Sequence, residues 1–142
     1  MLLSELFDTS VPYTWTTTLP NDRYVAKFMI GANEYRFSAH VFNYNELTGA
    51  EISFCMMDGK KCRTDDTGSG HATLVYGTVI KLISEVADIL NLSIIAYDAE
   101  GSQRKNIYPT LIKRSLPTWQ LIDHQDDWYY FINPQVLPKT KE

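Results

Sequence analysis

One stretch constrains the fold of this chain more than any other: a glycine-containing loop that leads directly into the longest amphipathic pattern. Residues 72–90 repeat apolar side chains at spacings of three and four, which places them on one face of an α-helix. Residues 50–57 before the loop have a strand-like pattern, and the apolar run at 92–97 suits a buried strand. The sequence therefore predicts a strand, a loop, a long helix and a second strand in succession.

The loop at the start of this helix has the features of an anion-binding site. Gly68 and Gly70 lack a Cβ, so the backbone can turn sharply and approach a ligand closely. The first amides of a helix have no partner within it, and together with the helix dipole they favour a phosphate. The alternative interpretation is structural, with the glycines shaping a turn and Ser69 capping the helix. Since a single Gly-x-Gly is weak evidence, these residues alone leave both interpretations open.

The N-terminal part of the chain has the pattern of consecutive antiparallel strands. Residues 13–18 are rich in β-branched and aromatic side chains, which favour a strand. Apolar side chains then alternate along residues 23–30, 34–42 and 51–57. Alternation with period two predicts strands that each bury one face.

The C-terminal part predicts one more helix and two more strands. The helix is expected over residues 103–115, with a kink or break at Pro109, because proline lacks a backbone donor and disfavours helical geometry in the residue before it. The strands are expected over residues 119–123 and 128–132. With 142 residues and no linker or repeat, the whole chain, 1–142, is predicted to be a single domain.

Composition argues against several functional classes. The formal net charge of -4 argues against nonspecific binding to nucleic acid, and the apolar runs are too short to cross a bilayer. The N-terminus lacks the pattern of a signal peptide. The three histidines are scattered and form no metal-binding pair, so no metal site is predicted. Cys55 and Cys62 match no zinc or redox spacing, so they are expected to be free thiols in a reducing cytoplasm.

The glycine loop and the element order around it resemble the GNAT family of N-acetyltransferases. In that family the loop before the long helix has the sequence Gln/Arg-x-x-Gly-x-Gly/Ala, and its amides hold the pyrophosphate of coenzyme A. Gly68 and Gly70 match the two glycines, whereas Asp65 stands where the family has Gln or Arg. The resemblance extends over about residues 50–132. The helices that usually follow the first strand, and that usually form part of the acceptor site, are missing from the pattern.

A second signature of the same family lies before and within the second helix. Asn106 and Tyr108 match, by order and spacing, an Asn beside the pantetheine arm and a Tyr that stands near the thiol as a general acid. Pro109 departs from the family pattern. The segment around Arg104 and Lys113 also resembles small bacteriophage-encoded proteins of this type.

The resemblance implies an α+β fold of the three-layer type. Its sheet would be GNAT-like, mixed and mostly antiparallel, with about six or seven strands, a long central helix and a second, C-terminal helix. It also implies acetyl-CoA as the cofactor. The implied cofactor-binding residues are Phe54, Cys55, Met56, Gly68, Ser69, Gly70, His71, Ala72 and Asn106.

The implied reaction is attack of an amine on the thioester. A backbone amide near Cys55 would stabilise the oxyanion, and Tyr108 would protonate the departing thiolate. Asp98 and Glu51 are the candidate general bases, with a water chain as the alternative. The structural alternative for Tyr108 is a packing residue whose hydroxyl is hydrogen-bonded.

These residues suggest two functions. The first is a small cytoplasmic N-acetyltransferase, encoded by a bacteriophage, that acts on a small-molecule or protein amine of the host. The second is an inactive scaffold of the same type that binds and modulates a host protein, as Asp65 and Pro109 suggest. The aromatic content of 13% and the run Trp128-Tyr129-Tyr130 would supply its interface. Neither function involves nucleic acid or a membrane.

Overall fold

The computed structural model describes residues 9–63, 72–98, 107–125 and 128–136. These residues form eight strands, two helices and a short 3-10 turn at Pro134–Val136. In chain order, the elements are β1 Tyr13–Leu19, β2 Arg23–Ile30, β3 Asn33–Tyr44, β4 Leu47–Asp58, β5 Lys61–Arg63, α1 Ala72–Leu90, β6 Ile94–Asp98, α2 Ile107–Ser115, β7 Gln120–Gln125 and β8 Trp128–Ile132.

The strands form one mixed sheet in the order β1-β2-β3-β4-β6-β8-β7, and the short strand β5 pairs with β4 beside this path. Strands β1 to β4 are antiparallel neighbours, as are β6, β8 and β7. The two groups meet at a parallel pair, β4 and β6. A parallel pair needs a crossover connection, and α1 lies within it.

Three tight turns allow the antiparallel strands to follow one another closely. Two residues separate β2 from β3, β3 from β4, and β4 from β5. The first residue of each turn has a positive φ: Gly31 (60°), Asn45 (57°) and Gly59 (61°). Two-residue hairpin turns require this left-handed geometry, which glycine and asparagine adopt at the lowest cost.

Both helices pack on the same face of the sheet, which we call the helix face. Alternate residues of the strands are buried there against apolar residues of α1, so the predicted alternation and the predicted helix are confirmed. The helices also contact each other, because Ser115 Oγ donates a hydrogen bond of 3.0 Å to the carbonyl of Ile80. We call the opposite side of the sheet the far face. The fully buried side chains of the helix-face core include Phe28, Phe37, Phe54, Val79, Leu82, Ile83, Ile95, Tyr97, Leu111, Ile112 and Phe131.

The predicted fold class is wrong. The structure has eight strands rather than six or seven, and both described helices lie in one layer, so it is not a three-layer fold with a central helix. Strands hold 52% of the described residues and helices 28%, so the sheet dominates. The strands expected at 34–42 and 51–57 are also longer than their apolar alternation indicates, and they extend into residues 43–49. The turn at Asn45 lets β3 and β4 continue through most of that segment.

One end of each helix has a clear cause in the sequence. Asn91 follows α1 with φ 51°, and the amide of Leu92 donates to the carbonyl of Ala87 at 2.9 Å, so Asn91 caps the helix. The expected kink at Pro109 is wrong, because α2 runs unbroken from Ile107. Proline is tolerated in the first turn of a helix, where its missing N–H would have no partner. Residues 103–106 lie outside the described ranges.

One close contact on the far face supports the β3–β4 hairpin. Phe42 and Gly49 are direct cross-strand partners, and the aromatic ring lies over the glycine. A Cβ at position 49 would stand 2.5 Å from Cζ of Phe42, which is closer than Cβ atoms in proteins come to a non-bonded atom. The ring therefore fills the space that a side chain at position 49 would need.

Replacing Gly49 with alanine tests this contact. Because Gly49→Ala forces the Phe42 ring away from the sheet, we expect the free energy of unfolding in urea to fall by about 1–3 kcal/mol. The double variant Gly49→Ala with Phe42→Ala removes the clash. Its decrease in the free energy of unfolding should therefore be smaller than the sum of the decreases in the two single variants. Strict additivity of the two changes would contradict the proposed overlap.

Candidate functional site

The strands of the parallel pair separate soon after they meet. β4 and β6 pair over three positions only, from Gly49 with Ile94 to Glu51 with Ala96. Beyond that point β4 continues to Asp58 and β6 to Asp98 without further pairing to each other.

We call the resulting gap the β4–β6 notch, bounded by residues 52–55 of β4 and residues 97–98 of β6. The other edge of β4 is occupied by β3 as far as Met56. The short strand β5 therefore pairs with β4 on the notch edge, and its pairs begin at Met56. A notch between two parallel strands is a place where backbone groups of β4 can bind an extended ligand as an additional strand would.

Aromatic rings close the notch on the helix face. Tyr108, from the first turn of α2, stacks on Tyr97 of β6 at a centroid distance of 4.8 Å. Its ring also meets Phe54 of β4 edge-to-face at 5.5 Å. The helix therefore carries Tyr108 to the point where the two strands separate, as a role near the cofactor requires. The ring is nevertheless only 4% exposed, which agrees with the packing alternative.

Tyr97 is the unusual member of this cluster. Its ring lies between Tyr108 and Tyr129, and the side chain is fully buried. No hydrogen-bond partner for its hydroxyl is present among the described residues. Burial, followed by the neighbouring Tyr129 and Tyr108 hydroxyls, raises the pKa of Tyr97 well above its usual value. A buried hydroxyl without a partner costs stability, of the order of 1–3 kcal/mol.

Three titratable side chains lie at the notch on the far face. Glu51 forms the last pair before the strands separate, with Ala96 on one side and His40 of β3 on the other. Burial raises the pKa of Glu51 above its usual value of 4.5; His40 opposes this effect, and Asp98 adds to it. A carboxyl group with a raised pKa at a strand edge suits a proton acceptor that works near neutral pH.

The two cysteines form a disulfide, so the prediction of free thiols is wrong. Cys55 of β4 and Cys62 of β5 are joined, with their Cα atoms 5.4 Å apart. The hairpin at Gly59 brings them together, because β5 folds back along β4 and pairs Met57 with Cys62. The buried Cys55 side chain is consumed by this bond. The Cys55 side chain is therefore not available to a ligand.

The other predicted cofactor residues divide into two groups. Phe54 lies at the notch, but its side chain points into the core, so its contribution would come from the backbone. Met56 lies just beyond the notch, where it pairs with Arg63 of β5. Ala72 is the first residue of α1. The remaining predicted residues, Gly68, Ser69, Gly70, His71 and Asn106, lie outside the described residues.

The sequence does not single out His40 or Tyr97 as a site residue. His40 lies on the polar side of an alternating strand, and only the register between β3 and β4 brings it opposite Glu51. Tyr97 is indistinguishable in sequence from the other apolar residues of a buried strand. Its stacking on Tyr108 depends on how α2 returns to the sheet. Neither residue has a local sequence signal.

The described part of the chain shows neither a metal-binding cluster nor a membrane-spanning helix. Residues 9–63, 72–98, 107–125 and 128–136 contain no group of three His, Cys, Asp or Glu side chains arranged to hold a metal ion. No helix in these ranges combines the length and apolar character needed to cross a membrane.

Comparisons with known proteins add no relative. The chain matches no protein family, no curated protein and no solved structure.

The raised pKa of Glu51 predicts how stability changes with pH. Because the folded protein holds the proton more tightly than the unfolded chain, the contribution of Glu51 to stability is present below pH 4.5 and is lost as the pH rises through the folded pKa. Glu51→Gln should therefore be more stable than the natural protein at pH 7. This advantage should shrink towards pH 4.

Urea unfolding across this pH range measures the difference. The matched control is Glu46→Gln, in the exposed turn between β3 and β4, which should show no such pH dependence. A Glu51→Gln advantage that is constant with pH, or grows towards acid, would contradict the raised pKa.

Proposed function

We propose that this protein transfers an acetyl group from acetyl-CoA to an amine. The observation that carries the proposal is the β4–β6 notch, where two parallel strands separate beside a half-buried carboxyl group with a raised pKa. The notch offers a strand edge to an extended ligand and a proton acceptor beside it. Both are needed for an amine to attack a thioester.

In this proposal, backbone groups of β4 bind the pantetheine arm. Strand addition would use the backbone groups of β4 that face the notch, those of Phe54 among them; Cys55, next to it, directs its backbone groups towards β3, and Met56 is already paired with Arg63 of β5. The phosphates would bind at the amides of Gly68, Ser69, Gly70, His71 and Ala72, where the sequence has the glycines of an anion site. Asn106 would contact the pantetheine arm.

The proposed reaction has two proton transfers, one on each face of the sheet at the notch. Glu51 accepts the proton that the amine loses as its nitrogen bonds to the thioester carbon. A backbone amide near Cys55 stabilises the oxyanion, and the carbon–sulfur bond then breaks. Tyr108 donates a proton to the leaving thiolate. Of the candidate bases, Glu51 is preferred to Asp98, because Glu51 is half-buried where the strands separate and Asp98 is exposed.

The proposed setting is the cytoplasm, with an amine-bearing small molecule or protein as the acceptor. If the chain is phage-encoded, this is the host cytoplasm. Reducing conditions there would convert the Cys55–Cys62 disulfide into two thiols. The proposed reaction uses neither sulfur, so it proceeds with the pair in either state.

Binding of acetyl-CoA is the first test. Isothermal titration should give a saturable signal with the natural protein, and Gly70→Glu should weaken it strongly, because the new side chain adds bulk and a negative charge at the proposed pyrophosphate site. Gly70→Ser is the uncharged control and should bind more tightly than Gly70→Glu. Equal affinity of all three proteins would place the pyrophosphate elsewhere. Absence of binding at millimolar ligand would remove the enzyme proposal.

Turnover tests the proposed base and acid separately. Glu51→Gln should lower the rate of acetyl transfer by about 10²–10⁴-fold and remove the acidic limb of the pH–rate profile, while acetyl-CoA binding persists. Tyr108→Phe should lower turnover and preserve the acidic limb. The control Glu46→Gln should leave both rate and profile unchanged. An unaltered acidic limb in Glu51→Gln would assign the base to another group.

One observation favours the second function, an inactive scaffold that binds a host protein. Tyr108 is stacked and 4% exposed, so its hydroxyl must move before it can meet a thiolate. The scaffold function requires a partner and no cofactor. A protein that binds no acetyl-CoA but recovers one specific protein from host lysate would support it, and recovery of no specific protein would count against it.

A further inference from the structure

A second cleft lies at the other end of α1. It has a volume of about 550 Å³ and is bordered by the second half of α1, by Tyr13 of β1 and by Trp119. The residues that border the cleft are different from those that bound the β4–β6 notch. The cleft is therefore a separate site, and the inference does not rest on the proposed acetyl transfer.

A carboxylate in this cleft is held by two neutral donors. Glu85 of α1 accepts a hydrogen bond from the hydroxyl of Tyr13 and a second, of 3.0 Å, from Nε1 of Trp15. Both bonds cross from the edge strand to the helix, so they fix the position of the side chain. Burial, the hydrogen bond and the charge of Glu85 together raise the pKa of Tyr13 to about 12, so the tyrosine remains a neutral donor.

The negative charge of Glu85 is not cancelled by its surroundings. Lys81 stands one turn earlier on α1 and also borders the cleft, but among the described residues no ion pair joins it to Glu85. Asp88 adds a second carboxylate to the wall. Two carboxylates and one lysine leave the cleft with an excess of negative charge.

The helix α1 itself adds to the negative electrostatic potential of the cleft. The last carbonyls of a helix carry partial negative charge, so helices usually place basic residues in their last turn. The last turn of α1 has none and instead contains Asp88. A carboxylate at this end of a helix is unfavourable by itself, and a bound cation would relieve it.

We propose that this cleft binds a small organic cation that carries a primary ammonium group. The volume lies within the range of small-molecule sites. An ammonium group has three N–H donors, which suit the remaining lone pairs of Glu85 and the carboxylate of Asp88. The rings of Tyr13 and Trp119 border the cleft and can contact the alkyl part of the ligand.

The experiment titrates the whole protein with n-butylammonium chloride. Tetramethylammonium chloride, which has charge but no N–H donor, is the comparison ligand, and ionic strength is held constant with sodium chloride. Amide chemical shifts report the position and affinity of binding. We expect saturable shifts around Glu85 and Asp88 with butylammonium and weaker binding of tetramethylammonium.

Two variants connect the binding to the carboxylate. Glu85→Gln keeps the shape of the side chain and should weaken butylammonium binding about tenfold, as expected for the loss of a charged hydrogen-bond partner. Glu46→Gln makes the same change in a distant exposed turn and should bind as the natural protein does. If Glu85→Gln does not fold, Asp88→Asn, at an exposed position, replaces it and should also bind more weakly.

Several results would overturn the proposal. The first is the absence of saturable shifts in the cleft with butylammonium. The second is unchanged affinity in a folded Glu85→Gln variant or, where that variant does not fold, in Asp88→Asn. The third is equal binding of tetramethylammonium, which would mean that the cleft attracts cations by charge alone. Equal weakening by Glu46→Gln would assign the effect to the net charge of the protein.

Discussion

Three residue pairs between β4 and β6 hold this structure together as one sheet. They join a group of antiparallel strands from the first half of the chain to a group from the second half. Because the two strands are parallel, the chain must cross over between them, and α1 provides that crossover on the helix face. The core, the single helical layer and the notch all depend on this short ladder.

The notch exists because the ladder stops while both strands continue. Its two sides have different chemistry. Alternation along β4 turns Phe54 to the helix face, where Tyr108 and Tyr97 form a dry aromatic stack. The same alternation turns Glu51 to the far face, close to His40 and Asp98. Polar and apolar functions are thus separated by the thickness of one sheet, with the backbone of β4 between them.

Local features of the structure could be predicted from the sequence, and features that depend on register or on distant contacts could not. The period of α1 and the alternation of β2 to β4 are local patterns, and the structure confirms them. The Cys55–Cys62 disulfide was missed because the spacing alone does not reveal the hairpin between the two residues. The predicted number of layers was wrong. An amphipathic pattern shows which face of a helix is buried, but it does not show on which side of the sheet that helix packs.

The same contrast between local patterns and distant contacts applies to the candidate site. Tyr108 could be connected to the notch through a motif, and the structure does bring it to β4 and β6. Glu51 could be selected only as one of two acidic residues. Its pairing with His40, which makes it distinctive, requires the β3–β4 register to be known. The buried environment of the Tyr97 hydroxyl depends on rings from three different elements, so neighbours in sequence do not reveal it.

The succession of tight hairpins from β1 to β5 has a consequence for the order of assembly. Each hairpin closes a short loop, so the first half of the chain can form its pairs at little entropic cost and soon after synthesis. The β4–β6 ladder has to close a much longer loop for only three pairs, so loop-closure entropy favours its formation after that of the hairpins. The notch is therefore expected to be completed late, and a chain interrupted before β6 would lack it altogether.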